Sequence, residues 1–530
     1  MLKKIYQLKF KIAIIVLFAL VLLQLTTAYV FGFITETQMN KQFKRFSESP
    51  FIQIKNRKYH RGIFSSDSTA DISLNNQALT AVLSILPGNN AESSNIKLVK
   101  NYSNYSIHYT THIEHGIFAG ILNGYFVPTL AYARTSITYP ENMLNMLNKF
   151  FNNRPPLEVD NLIYIDKSGR FKIHSPKFDY SEAVSGVKVI WGGMDAIIKY
   201  DASFSKFKTE LLLPGFELLA PTKGVAVMRN LIYSSNSSDS INQIKIGGVS
   251  LHIDLVKVEW KERLKIDFKI GDILHMLTGI SSAEFLNGID AIDPDNFLFS
   301  NISYKSNSSD KNNFFSADAV INVESLVTNN KTYGPINLDL SVAHIASIPF
   351  SHLMNKLSEV VVMDKNSQSL SEKAKNREIL IKNLKQYFAP ILVDKPLIKL
   401  NNFSMMTPDG AVKISGYAST NNFVLSDVND QKQFIQKLVA DIRLSVPKSI
   451  LNYMFVLQMQ YLLSAGNAQM DKQSSEALTK VVNILLDNQI NIWVQKGYIT
   501  NNNGVLGTHM YVESGTVYFN DKITDYIKAD

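Results

Sequence analysis

The chain has 530 residues, is 45% apolar and 19% charged, and carries a formal charge of +8 with no cysteine. Residues 1–61 hold eleven Lys and Arg against Glu36 and Glu48, a balance of +9, so residues 62–530 carry 43 basic against 44 acidic groups, a balance of −1. That neutral body excludes a broad cationic nucleic-acid face, and the lack of cysteine excludes disulfides, thiolate metal sites, cysteine nucleophiles and a lipoprotein anchor.

Residues 1–11 read as a cytoplasmic tail bearing Lys3, Lys4, Lys9 and Lys11. From Ile12 to Ile34 the chain runs without a charge, and Gln24 is its one strongly polar side chain. At about 1.5 Å per residue this helix is about 35 Å long, enough to cross a hydrocarbon core of about 30 Å. The first basic residue beyond it is Lys41, so the positive-inside bias puts the N-terminus in the cytoplasm and the rest of the chain outside. A cleaved signal peptide is the alternative, with Thr26-Thr27-Ala28 as a small-residue site. The apolar run continues through Tyr29, Val30, Phe31 and Phe33, which is long for a signal core and favours a signal-anchor over residues 12–34. Residues 35–61 then form a basic juxtamembrane segment. It is either a solvated linker or a contact with anionic head groups, and in the second reading Lys41, Lys44 and Arg45 touch the membrane.

The remaining chain reads mostly with period two, the mark of strands with one buried face. Ile198, Tyr200, Ala202 and Phe204 alternate with polar residues, as do Ile336, Leu338, Leu340 and Val342. Along β-like residues 249–260 the apolar phase flips, from Val249, Leu251, Ile253 and Leu255 to Val256, Val258 and Trp260. The flip predicts a bulge or corner near Leu255 and Val256. The Ser/Asn runs 234–240 and 306–313 predict exposed loops, and Pro87-Gly88-Asn89-Asn90 and Pro408-Asp409-Gly410 predict turns. Pro140 precedes a short helix, and Ser369 with Glu372 caps another that stops before Pro390. Pro447 opens a helical pair broken at Gly466 and Asn467.

These signals divide the chain into an N-terminal β-rich region (62–240), a middle β-rich region (241–345), a helical insert (346–390) and a C-terminal β region (391–530) with a helical hairpin at about 447–489. The fold class expected is α+β and β-dominated. One N-terminal transmembrane helix leads into an extended, curved, mainly antiparallel sheet, with a few helices in the C-terminal half.

Two stretches share a Gly-Ile-Phe element, Tyr59-His60-Arg61-Gly62-Ile63-Phe64 and His115-Gly116-Ile117-Phe118. Further on come Tyr333-Gly334-Pro335-Ile336, Thr407-Pro408-Asp409-Gly410 and Gly515-Thr516-Val517-Tyr518-Phe519-Asn520. In order and spacing these stretches resemble the YdgA family of bacterial envelope proteins, a domain-of-unknown-function family. The resemblance implies a protein tethered in the bacterial inner membrane with a β-rich periplasmic portion, and it supplies no catalytic residue. Read from the residues alone, glycine before an apolar-aromatic pair predicts a bulge or close backbone approach, with Phe64 and Phe118 packed beneath.

Chemistry-bearing clusters are sparse. His108, His112, Glu114 and His115 are four metal-ligand types within eight residues, but strand geometry turns His115 away from the others. The sequence holds no nucleophile elbow, phosphate loop, His-Glu-x-x-His or dinucleotide fingerprint, and no cofactor is expected. Three functions are therefore carried forward. The first is a non-enzymatic, membrane-anchored protein that handles lipid or another amphipathic envelope component on an apolar sheet face. The second is an envelope scaffold that docks another protein or a second copy of itself and has no ligand groove. The third is a metal-dependent enzyme.

Overall fold

Successive strands of the chain pair with one another in the computed structural model, which describes residues 2–47, 52–74, 106–261, 296–328, 330–363, 386–463 and 472–523. The expected turn at Pro87-Gly88-Asn89-Asn90, the Ser369 cap and the Gly466/Asn467 break lie outside the described residues. Strands β1 (Ile52–Arg61), β2 (Ser65–Leu74), β3 (Ser106–His115), β4 (Thr129–Thr138), β5 (Glu158–Tyr164) and β6 (Gly169–Ser175) each pair with the next. A small hairpin, β7 (Phe178–Ser181) and β8 (Lys188–Trp191), and strand β9 (Met194–Tyr200) both join β10 (Lys206–Ala220), with β9 also bonded to β6.

Four long strands continue the sheet: β11 (Gly224–Asp239), β12 (Lys245–Trp260), β13 (Asn296–Lys311) and β14 (Phe314–Thr328). Then come β15 (Lys331–Tyr333), β16 (Ile336–Ala346), β17 (Leu397–Thr407), β18 (Gly410–Thr420) and β19 (Leu438–Pro447). The far end is β20 (Thr500–Asn502), β21 (Val505–Glu513), β22 (Thr516–Phe519) and β23 (Lys522–Ile523). All pairings are antiparallel and nearly all follow chain order, so the described strands form one open meander.

Helices decorate this sheet. They are α1 (Leu2–Ser47), α2 (Ala119–Leu122), α3 (Glu141–Phe151), α4 (Ser347–Met363), α5 (386–393), α6 (Gln431–Lys437), α7 (Lys448–Leu463) and α8 (Lys472–Gln495). Helix α5 does not stop before Pro390 but runs through it. Ala389 and Leu392 bury against Phe423, and Thr420 Oγ1 donates to the Leu392 carbonyl at 2.5 Å. Burial and a satisfied C-terminal carbonyl outweigh the break that proline usually imposes.

The apolar helix continues beyond Ile34 to Ser47 without interruption. Ala28, Gly32, Thr35, Gln38, Met39, Gln42 and Phe43 are buried, at the spacings of three, four and seven that make one helical stripe. The stripe packs on Ala70, Tyr109, Ile113, Ala131 and Ala133 of the first strands. Phe43 stacks on Tyr109 with ring centroids 5.9 Å apart.

Most of the Ser/Asn runs is strand, not loop: residues 234–239 end β11 and 306–311 end β13, paired across β12 from Ser234 opposite Ser250 to Ser308 opposite Gly247, with only Ser240, Asn312 and Asn313 in the turns that follow. A central strand is held by its backbone ladder, so small polar side chains are tolerated wherever the face need not be filled. The phase flip on β12 is also made differently from the bulge expected. Leu255 pairs with Arg229 and Ser300, and Ile253 pairs with Leu231 and Ile302, so no residue is inserted.

The neighbouring strands carry the distortion instead, since Asn230 (φ 52) and Asn301 (φ 48) adopt left-handed backbone. Asparagine tolerates this conformation better than most residues. Asn230 Nδ2 donates to Asp254 Oδ2 at 3.0 Å, and Asn301 donates to Glu324. The apolar phase changes at the aligned place in β10, from Leu213 to Phe216, and in β14, from Val323 to Leu326. A transverse crease therefore crosses five strands. Asn301→Val should lower stability by about 1–2 kcal/mol, the order of the left-handed penalty for a β-branched residue, while Asn301→Gly should leave it nearly unchanged; denaturant unfolding measures both.

Candidate functional site

Residues paired across antiparallel strands share a face, so the registers trace rows of side chains over the sheet. One row runs Val159, Ile173, Ala196, Leu211, Tyr233, Leu251, Tyr304, Ile321, Leu338, Phe403, Ile414. In the other direction it continues through Thr135 and Thr111 to Ser68 and Tyr59. Ser68 and Thr111 are buried where α1 covers this face. At the far end Phe403 and Ile414 pack against Leu486 and Ile490 of α8.

Between those covers, on β10 to β16, the row and its neighbours are half-buried or exposed. No described helix lies over them, apart from α4 at one rim, where Phe350 stacks on Phe315 at 4.7 Å. The open stretch holds a trough of about 460 Å³, within the roughly 300–1,000 Å³ of small-ligand sites. Its floor is Tyr233, Val249, Tyr304, Ala319, Leu340 and Val342, interrupted by Ser235, Ser237, Ser306 and Ser308. These serines come from the runs expected to be loops; their short side chains leave the depression open. On the opposite face of the same strands stand Lys208, Glu210, His252, Lys305 and Asn322, so the sheet is amphipathic.

One end of the trough meets α1. Gln38 Nε2 donates to the carbonyls of Ala202 (3.2 Å) and Lys167 (3.4 Å). Further along, Arg45 pairs with Asp239 at 2.5 Å, and Asp239 also pairs with Lys245 at 2.5 Å. Lys245 lines the trough, so two cations share one carboxylate at this mouth. Of the candidate membrane contacts, Lys41 and Lys44 are exposed on α1, while Arg45 is engaged by Asp239.

The first Gly-Ile-Phe stretches meet at the other part of α1. His115 is 1% exposed, its Nε2 lies 2.8 Å from Ser66 Oγ, and its ring faces Gly32 of α1. A Cβ on Gly32 would stand 3.1 Å from Nδ1, so glycine permits the close approach there. Gly116 (φ 114) likewise leaves room for Gln24, whose Nε2 donates to the His115 carbonyl and whose Oε1 accepts from the Phe118 amide, both at 3.3 Å. Arg61 pairs with Glu36 at 2.8 Å and lies 3.6 Å over the Phe33 ring. Tyr59 packs on the core under α1, His60 is exposed, and the Gly62 amide donates to the Ser65 carbonyl in the turn.

Phe64 is not packed beneath its glycine but is 50% exposed, because Gly62 opens a turn between strands rather than a bulge within one. Gln24, Thr27 and Gly32 went unnoticed in the sequence as junction residues; a lone glutamine in an apolar run was the available signal.

The structure does not bring the three histidines together. His108 bonds Asp71 (2.7 Å) and His112 bonds Asp67 (2.8 Å) on the exposed face, while His115 points under α1. No group of three metal-ligand side chains occurs among the described residues. The remaining glycine motifs hold the backbone. Gly334 (φ 123) leaves room for the Glu324 carbonyl at the crease. Pro408 opens the turn between β17 and β18, where Thr407 Oγ1 donates to the Gly410 carbonyl at 2.6 Å. Gly515 (φ 77) forms the turn before β22, and Asn520 Oδ1 accepts from the His509 amide at 2.8 Å.

The fold and site define a β-dominated protein with a single apolar N-terminal helix, long enough to span a membrane, docked on one end of an open amphipathic sheet. The chain belongs to the family described as "Bacterial protein of unknown function (DUF945)", which matches residues 9–524. No curated protein and no solved structure matches it.

Burial holds the His115 imidazole below its ordinary value of 6.5. The unfolded chain therefore binds this proton first as pH falls. Stability from His115 is whole above about pH 6.5 and is lost as pH drops below it through the lowered value. Thermal unfolding of the full chain in detergent should show that loss, and His115→Gln should make the profile flatter. Gly32→Leu should lower the melting temperature at neutral pH by separating α1 from β3, at about 1–3 kcal/mol for an overpacked contact.

Proposed function

We propose that the protein is a non-enzymatic, inner-membrane-anchored envelope protein that takes an acyl chain of a membrane amphiphile onto the open face of its sheet. In this reading the N-terminus is cytoplasmic and the sheet periplasmic, as in YdgA-like proteins. The observation that carries it is the apolar row from Val159 to Ile414, which passes from beside the face under α1 into a trough that no described helix covers. A helix fixed in a bilayer holds that trough beside a supply of amphiphile, and the trough's volume suits one chain segment rather than a protein domain. Each methylene moved onto the face contributes about 0.8 kcal/mol. Lys41 and Lys44 stand exposed on the same helix, available to head groups of the leaflet.

A photo-crosslinking amino acid at Leu340, introduced into the full chain in bacterial membranes, should yield lipid adducts by mass spectrometry. The same probe at Lys305, on the opposite face, should not. Ala319→Trp, which fills the floor, should lower the Leu340 adduct roughly tenfold, the loss of about two buried methylenes. Protein adducts at Leu340 in place of lipid would replace this reading with the scaffold.

A further inference from the structure

Beside α1, two loops present large apolar side chains to solvent. The turn after β1 exposes Ile63 and Phe64, and the segment between β3 and β4 exposes Ile121, Leu122, Phe126 and Val127. Leu122 is 77% and Phe126 88% exposed. The loops are tied together, since the His115 amide donates to the Phe64 carbonyl at 2.8 Å. They are also tied to α1 at a definite level. Gln24 bonds the His115 carbonyl and the Phe118 amide, and the Ile117 amide donates to Thr27 Oγ1 at 3.5 Å.

Helix geometry fixes what that level means. From Ile12 to Gln24 the rise is about 18 Å, leaving about 12 Å of a 30 Å hydrocarbon core still to be crossed. Those last residues are the ones on which the loops are docked. If the bilayer ended at Gln24, its inner boundary would fall near residue 4, and Lys9 and Lys11 would enter the core at about 2.5–3.5 kcal/mol each for a central position. With the core placed from Ile12, its outer boundary falls near Phe33, beside the charged Arg61 and Glu36 pair. The polar groups of Gln24 and Thr27 are then satisfied by loop backbone, as lipid requires.

We infer that the turn at residues 62–64 and the loop at 117–127 insert into the outer leaflet beside α1, as an apolar foot that seats the sheet on the lipid surface. This rests on α1 crossing a bilayer. Seated in this way, the sheet keeps a set orientation to the membrane rather than swinging on a tether.

The chain has no native cysteine, so single cysteines carry a fluorescent probe cleanly. The full chain with Leu122→Cys, Phe126→Cys or Ile63→Cys would be reconstituted into vesicles of phosphatidylethanolamine and phosphatidylglycerol containing nitroxide-labelled acyl chains. Phe18→Cys serves as the span control and Val184→Cys, 98% exposed on a distant turn, as the aqueous control. Quenching at Leu122, Phe126 and Ile63 close to that at Phe18, and severalfold above Val184, is expected. Quenching at Phe18 with the foot positions matching Val184 would overturn the foot while leaving the span intact. A Phe18 probe that is not quenched would overturn both.

Discussion

An amphipathic sheet must cover its apolar face, and in this protein that requirement governs the placement of everything else. The face is continuous from Tyr59 to Ile414 because every register along it is in phase or corrected. Helix α1 covers one end and the α7 and α8 pair covers the other. The middle strands carry smaller and more polar residues there, Ser235, Ser306 and Ala319, which reduces the apolar area left in water. A trough results where cover is absent among the described residues and side chains are short.

Helix α1 serves two environments along one axis. Its first part is apolar all round, which suits lipid. From Ala28 onward it carries a narrow buried stripe, Ala28, Gly32, Thr35, Gln38, Met39, Gln42 and Phe43, that fits the sheet. Gly32 and Gly116 allow His115 and Gln24 into the junction, where both amide atoms of Gln24 meet loop backbone and His115 Nε2 meets the Ser66 hydroxyl. Docking of this kind fixes the apolar part of the helix relative to the sheet, because the helix runs from one to the other without interruption.

Much of the architecture was legible. Alternation at Ile336 to Val342 announced β16, and the Pro408-Asp409-Gly410 turn fell where its residues demanded. Pro447 marked the entry to α7. The failures have separate physical causes. The serine runs lie mostly in strands because ladder hydrogen bonds are made by backbone that every residue possesses. The crease crosses β12 where its apolar phase flips, but without a bulge there, because Asn230 and Asn301 on the neighbouring strands absorb the distortion. Pro390 was overruled by the burial of Ala389 and Leu392, and Phe64 was judged packed although its turn projects it outward.

By itself the sequence determined the apolar N-terminal helix, the dominance of strands and the absence of cysteine chemistry, since each depends on composition or on periods of a few residues. Only the tertiary structure decided which strands line up, that α1 lies on the same face as the trough, and that Gln24 and His115 meet across some ninety residues of chain. Rows of side chains across a sheet are set by inter-strand register, which joins residues far apart in sequence. The +8 charge shows the same division: its concentration in residues 1–61 is read from the sequence, whereas the meeting of Arg45 and Lys245 on Asp239 exists only once the sheet has folded.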